Sequence, residues 1–101
     1  MEKRKPHHGL AAFKASMSTV DKLHMTGAAQ KDAQAIGYGL SDVVAALQSL
    51  DRKHFYKSMT SYGNNRKWQD VYHPPWDGVT LYVKFTDDAV TEFQVLSFKE
   101  K

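Results

Sequence analysis

The residues with the most chemistry to offer lie between Phe55 and Tyr72. The run Phe55-Tyr56-Lys57-Ser58-Met59-Thr60-Ser61-Tyr62 is followed closely by Lys67-Trp68-Gln69-Asp70-Val71-Tyr72. Aromatic rings, ammonium groups, hydroxyls and one carboxamide share this stretch. Aromatic faces stack on bases and cations meet phosphates, so the stretch reads as a surface that handles RNA. It holds no Cys and no His cluster. His7 and His8 are adjacent and cannot easily share a metal, and His24, His54 and His73 have no ligand spacing. No metal and no cofactor is implied. His54 or His73 remains open as a general base, because imidazole titrates near neutrality.

Charge is concentrated in the same place. The 101-residue chain carries a formal +3. Residues 51–75 carry five Lys or Arg against two acids, whereas residues 76–101 carry three against five. A mildly basic middle rich in aromatics suits a polyanionic partner, although many proteins without one are as basic. The length fits one domain over residues 1–101 with one modest core. No apolar run approaches the length of a membrane span, and the basic start Met1-Glu2-Lys3-Arg4-Lys5-Pro6 leads into no apolar leader segment. The lack of Cys fits a reducing cytoplasm.

The elements that must position the central stretch can be read in order. Leu10, Phe13, Met17 and Val20 recur at helical spacing after Pro6, predicting a helix over 7–19. Thr26 is an N-cap for a short helix through Ala28, Ala29, Ala33 and Ile36 that stops at Gly37. Ser41 is expected to cap a further helix carrying Val43, Val44, Leu47 and Leu50, with Asp42 in its first turn. From Phe55 onward β-branched and aromatic residues dominate and turn signals recur. Gly63-Asn64-Asn65 predicts a hairpin turn. His73-Pro74-Pro75 ends the second strand. Asp77-Gly78 turns again, Val79 to Thr86 forms a strand, Asp87-Asp88 turns, and Val90 to Lys99 forms the last strand. Short helices followed by a meander predict an α+β domain, its helices packed on one face of a C-terminal antiparallel sheet.

Alternation assigns the strand residues to faces. Leu81, Val83 and Phe85 are expected to meet the helices, with Tyr82 and Lys84 on the other side. In the hairpin, Tyr56, Ser58, Thr60 and Tyr62 share one side against Phe55, Lys57, Met59 and Ser61. Trp68, Asp70 and Tyr72 alternate with Lys67, Gln69, Val71 and His73. Neither hairpin side is purely apolar, as expected of a working surface or an edge.

Several blocks carry a resemblance to a known family. They are Met1-Glu2-Lys3-Arg4 with Pro6-His7, Phe55-Tyr56-Lys57-Ser58-Met59-Thr60 with Tyr62, Trp68-Gln69-Asp70-Val71-Tyr72 with Pro74, Tyr82 with Lys84, and the terminal Ser97-Phe98-Lys99-Glu100-Lys101. In order and nearly in spacing, the chain resembles the MqsR toxins of bacterial type II toxin–antitoxin pairs, members of the RelE-like mRNA interferases. Residues 8–50 match by pattern more than by identity. Pro75-Trp76-Asp77-Gly78 departs from the family pattern, and His73 stands where the family has Arg.

The resemblance implies a RelE-like toxin fold and a ribosome-independent endoribonuclease that cuts single-stranded mRNA at GC-containing sites. It implies a cognate antitoxin with a zinc-binding module and a helix-turn-helix module, the zinc belonging to that partner. The catalytic positions it implies are Lys57, Gln69 and Tyr82. RNA-binding positions would be Tyr56, Arg66, Lys67, His73, Lys84 and Lys99. The chemistry is coherent, since RNA supplies its own nucleophile in the 2′-OH. Such a nuclease must hold the backbone in line, favour deprotonation and stabilise charge on phosphorus oxygens and the leaving 5′-oxygen. Lys57 can stabilise charge, or serve as base if burial or neighbouring cations lower its pKa. Gln69 can donate and accept. Tyr82 can bond a non-bridging oxygen or donate a proton late. Each has a plainer reading: Lys57 as a solvated edge charge, Gln69 as a surface amide, Tyr82 as a half-buried sheet tyrosine, and the Lys3-Arg4-Lys5 run as a solvated terminus. The competing function is a non-catalytic RNA-binding module with a stacking sheet; a third is a protein-interaction domain that pairs an edge strand.

Overall fold

The computed structural model describes residues 1–61 and 63–101, with only the backbone of Asn64 and Asn65. Its elements are β1 (Glu2–Lys3), α1 (Leu10–Ser16), α2 (Gly27–Ala35), α3 (Leu40–Gln48), β2 (Phe55–Ser61), β3 (Asn64–Tyr72), β4 (Pro75–Trp76), β5 (Val79–Asp88) and β6 (Glu92–Glu100). Short 3-10 turns occupy Val20–Lys22 and Arg52–His54. The strands form one antiparallel sheet in which β1 pairs β2, β2 pairs β3, β3 pairs β5 and β5 pairs β6, while β4 joins the start of β5. The three helices cover one face, so the expected α+β architecture stands. Among the described residues no helix is long and apolar enough to cross a membrane.

The core forms where helix stripes meet one side of the pleat. Phe13 and Met17, Ala29 and Ala33, and Val43, Ala46, Leu47 and Leu50 come from the helical half. They meet Tyr72, Leu81, Val83, Phe85, Phe93, Val95 and Phe98 of the sheet. Phe13 lies flat on Phe85 with centroids 3.7 Å apart, and Phe93 meets both rings edge-on. Leu81, Val83 and Phe85 therefore face the helices as alternation requires.

Local chemistry moves several boundaries. α1 starts at Leu10, three residues later than periodicity suggests, with Gly9 extended at its N-cap and the residues before it held against β3. The buried Asp70 carboxylate accepts from His7 N at 3.1 Å, His8 N at 2.9 Å and Ser58 Oγ at 2.7 Å. Val20, expected on the apolar stripe, begins a 3-10 turn and is exposed. Thr26 does cap α2, its hydroxyl accepting from Ala29 N at 3.1 Å, and Gly37 ends it at φ 85°. α3 begins one residue before Ser41: Gly39 is the cap, and Asp42 reaches back to accept from Gly39 N at 2.9 Å.

In the sheet, Asn64 and Asn65 already belong to β3, so the hairpin turn is tighter than the turn signal at 63–65 suggests; Tyr62 lies outside the described residues. Asp77 and Gly78 take φ of 52° and 81°, the mirror-image turn that joins two-residue hairpins, between the short β4 and β5. Asp87 and Asp88 continue β5 and do not turn. The reversal comes after them, where the Asp88 carboxylate accepts from Val90 N and Thr91 N, both at 3.0 Å. The outer edge of β6 is met by residues 24–26: Val95 N donates to His24 O at 2.9 Å and Thr26 N to Val95 O at 2.9 Å.

The basic N-terminus does not behave as a solvated arm. Glu2 and Lys3 pair with Met59 and Ser58, and the indole of Trp68 is covered by Lys3 Nζ, 4.3 Å from the ring centroid, and by His7, stacked at 5.4 Å, the two in contact with each other at 2.9 Å. Trp68 is thus half-buried beneath the N-terminal segment and not in the core.

Two expectations follow. Asp70→Ala leaves the His7 and His8 amides and the buried Ser58 hydroxyl without their anionic acceptor, and is expected to destabilise by about 3 kcal/mol in urea unfolding, with faster hydrogen exchange over residues 2–8. Tyr72 is fully buried and its hydroxyl has no partner among the described residues; burial holds its pKa up at about 12. Its neutral form is favoured in the fold, so this contribution is present below pH 10 and lost as pH rises towards 12. Tyr72→Phe is expected to leave the urea midpoint unchanged or raise stability by up to about 1 kcal/mol, and to remove that alkaline component.

Candidate active site

The sheet face opposite the helices carries the candidate residues, and register brings them together. Lys57 of β2 and Lys84 of β5 both pair with Val71 of β3, and Lys84 pairs onward with Ser97 of β6. One row across the face therefore reads Lys57, Val71, Lys84, Ser97. The adjacent row reads Met59, Gln69, Thr86, Gln94. On the other side of the first row, Tyr82 pairs with Lys99. Neighbouring strands lie roughly 4.8 Å apart, so Lys57 and Lys84 are separated by one strand only. Val71 is fully buried between them, an apolar floor beside the two lysine stems.

A β-bulge between Phe55 and Lys57 sets this register. Simple alternation groups Tyr56 with Ser58 and Thr60. In the structure Ser58 and Thr60 are buried while Tyr56 is 43% exposed. Tyr56 instead stacks on His73 at 4.4 Å, and His73 lies 5.6 Å from Tyr82 in a tilted contact. Lys57 Nζ lies 5.4 Å from the Tyr56 ring centroid, and Lys99 Nζ lies 5.5 Å from that of Tyr82. The result is an aromatic band, Tyr56–His73–Tyr82, with a cation at each end.

The lysines are not equivalent. Lys57 forms an ion pair with Glu2 of β1, and that hydrogen bond holds Lys57 above the usual lysine range and Glu2 below the usual carboxylate range. Lys84 is half-buried, and burial, then the charges of Lys99 and Lys57, pull its pKa down. The condition under which Lys57 could serve as base is therefore not met at Lys57. Gln69 Nε2 donates to Ser61 Oγ at 2.8 Å, which fixes the carboxamide plane.

The remaining candidates divide. Lys84 and Lys99 join Lys57, Gln69 and Tyr82 on the open face, with Tyr56 at its rim. His73 lies within the aromatic band; burial, then Lys101, lowers its pKa, and its Nε2 is buried without a partner among the described residues. It is a stacking group there, where the family pattern has Arg. Arg66 and Lys67 lie further along β3 towards the hairpin end, where Lys67 acts on Asp88. Tyr72, whose ring type alone suits base stacking, faces the core. Sequence reading missed Glu2 as a member of the site. Its motif, Met1-Glu2-Lys3-Arg4, was visible, but a two-residue strand at the chain start gives no periodic signal.

Residues 5–100 match the family described as motility quorum-sensing regulator, toxin of MqsA. The chain belongs to the MqsR toxin family. It is also 34% identical over 101 residues to the mRNA interferase toxin MqsR of Escherichia coli strain K12, covering the whole of both chains. A match of that extent places β1, the hairpin and the C-terminal strands of this MqsR-family protein inside the shared region.

The Glu2–Lys57 pair gives the site a testable handle. The lowered Glu2 pKa means the pair is intact above the carboxylate range and is lost as pH falls through the folded Glu2 value; the raised Lys57 pKa extends it on the alkaline side. Glu2→Gln is expected to lower the Lys57 ammonium pKa in an NMR titration and to remove the acid-side loosening of β1 seen by hydrogen exchange. An unmoved Lys57 titration would count against the pair.

Proposed function

We propose that the protein is the endoribonuclease toxin of a type II toxin–antitoxin pair, cutting single-stranded mRNA at GC-containing sites without the ribosome and without a metal. Membership of the MqsR toxin family supports a toxin that acts on RNA. The observation that carries the reading is the convergence of Lys57, Gln69 and Tyr82, from three adjacent strands, on one open face that also holds Lys84 and Lys99. The antitoxin partner is proposed to carry a zinc-binding module and a helix-turn-helix module, the zinc being the partner's. The reaction is proposed to take place in the cytoplasm.

The geometry suits in-line transfer. The 2′-oxygen attacks the adjacent phosphorus, the P–O5′ bond breaks, and the products are a 2′,3′-cyclic phosphate and a 5′-hydroxyl. Lys57, kept protonated by Glu2, stabilises the charge that accumulates on the non-bridging oxygens. The Gln69 amide, held by Ser61, orients the ribose–phosphate through its remaining carbonyl and N–H. Tyr82 supplies its hydroxyl to the phosphate or to the leaving oxygen. Tyr56, with His73 behind it, offers a face on which a flanking base stacks, worth about 1–3 kcal/mol. That exposed aromatic band also favours the second reading, a module that binds RNA without cutting it.

The two readings separate in one assay. Purified protein with EDTA is expected to cleave a single-stranded RNA containing GC steps and to leave cyclic-phosphate ends. Lys57→Ala is expected to lower the rate by about 100-fold or more. Salt-sensitive binding with intact RNA favours the binding module, and undiminished cleavage by Lys57→Ala removes the assigned role of Lys57.

A further inference from the structure

Around Val71, among the described residues, the open face carries the ammonium groups of Lys57, Lys84 and Lys99 and the engaged carboxylate of Glu2. From β1, Glu2 is held by Lys57. From β2 come Lys57 and Tyr56, from β3 Gln69 with His73 just beyond its end, from β5 Tyr82, and from β6 Ser97 and Lys99. Lys101 acts on His73 at the margin. Lys84 stands in the midst of these. It shares its row with Lys57 across Val71 and is two residues along the same strand face from Tyr82, whose cross-strand partner is Lys99. Its stem is half-buried beside the dry Val71 floor. Among the described residues its Nζ has no hydrogen bond and no ion pair, so nothing competes for its lone pair once neutral.

Resting on the endoribonuclease reading, the geometry points to Lys84 as the proton acceptor of the cleavage step, with Lys57 confined to charge stabilisation. Neutral Lys84 Nζ takes the proton from the ribose 2′-OH as the O2′–P bond forms. The P–O5′ bond breaks and the 5′-oxygen takes a proton from the Tyr82 hydroxyl. The ammonium of Lys84 and the phenolate of Tyr82 then return to their resting forms by exchange with solvent, so protons and electrons balance without a co-reactant. The division of labour has a physical origin. A lysine bonded to a carboxylate is kept charged, whereas one that is desolvated and flanked by cations loses its proton more readily. Burial and the neighbouring Lys99 and Lys57 lower the Lys84 pKa in the free protein, in the direction a base requires.

A role as base is separable from a role as phosphate contact. Arginine keeps the positive charge and can bond phosphate but does not give up its proton. Single-turnover cleavage of a GC-containing RNA is measured from pH 6 to 10 for the intact chain, Lys84→Arg and Lys84→Ala, with RNA affinity measured alongside. Lys84→Arg is expected to bind RNA within about threefold of the unsubstituted protein and to cleave about 100-fold more slowly or worse. Its rate should also lose the rise with pH that reports the base. Lys84→Ala is expected to regain rate on addition of methylamine, in proportion to the amine's neutral fraction. Near-normal cleavage by Lys84→Arg, or no amine response in a Lys84→Ala protein that still binds RNA, overturns the assignment while leaving the nuclease reading intact. Failure of the unsubstituted protein to cut RNA overturns both.

Discussion

The burial of the Asp70 carboxylate is the constraint on which the rest of the molecule turns. A charged group taken out of water must be matched by donors, and this one is matched by Ser58 beside it and by two backbone N–H groups from the chain start. The residues that carry those amides lie against β3, and α1 begins after them at Leu10. The N-terminal segment is drawn across β2 and stays there as β1, covering Trp68 with Lys3 and His7. Glu2 then arrives beside Lys57. A residue on the helix side of β3 thereby helps to bring a carboxylate to a lysine on the opposite side of the sheet.

The open face works by contrast between neighbours. Its lysines share a row, a solvent boundary and an apolar floor in Val71, yet differ in whether a carboxylate is within reach. Placing cations beside one another is unfavourable in the free protein, and such a cluster attracts anions. The aromatic band of Tyr56, His73 and Tyr82 lies alongside, so the same surface offers stacking area next to positive charge. His73 contributes ring area there in place of a guanidinium.

How legible this was depends on the range of the interaction. The α+β arrangement, the cap at Thr26, the stop at Gly37 and the inward set Leu81, Val83 and Phe85 are local signals, and the sequence carries them openly. The grouping of Lys57, Gln69 and Tyr82 needed the family resemblance, since no spacing rule brings three strands into register. Glu2 was illegible, because its importance comes from a contact 55 residues away. Tyr56 was assigned with Ser58 and Thr60 because alternation assumes an unbroken ladder, and the bulge before Lys57 breaks it. Tyr72 looked like a stacking tyrosine by type, but it faces the core once β3 is docked on the helices. The start of α1 was misjudged for the same reason as Glu2: the residue that holds positions 7 and 8 against the sheet, Asp70, lies far along the chain.

The bulges have a consequence for how such a chain can change over generations. Irregularities interrupt β2 at Phe55/Lys57 and at Thr60/Ser61, and the β5–β6 ladder at Lys84/Phe85. The first sets Tyr56 apart from the rest of β2, the second re-registers the hairpin end, and the third shifts β6 against β5. Exchanging one side chain for another leaves this reading frame of the pleat untouched. Losing or gaining a single codon within it would rotate ammonium groups into the core and core rings into solvent. The face is therefore free to drift in chemistry, as the histidine at position 73 illustrates, while its strand lengths are held nearly fixed.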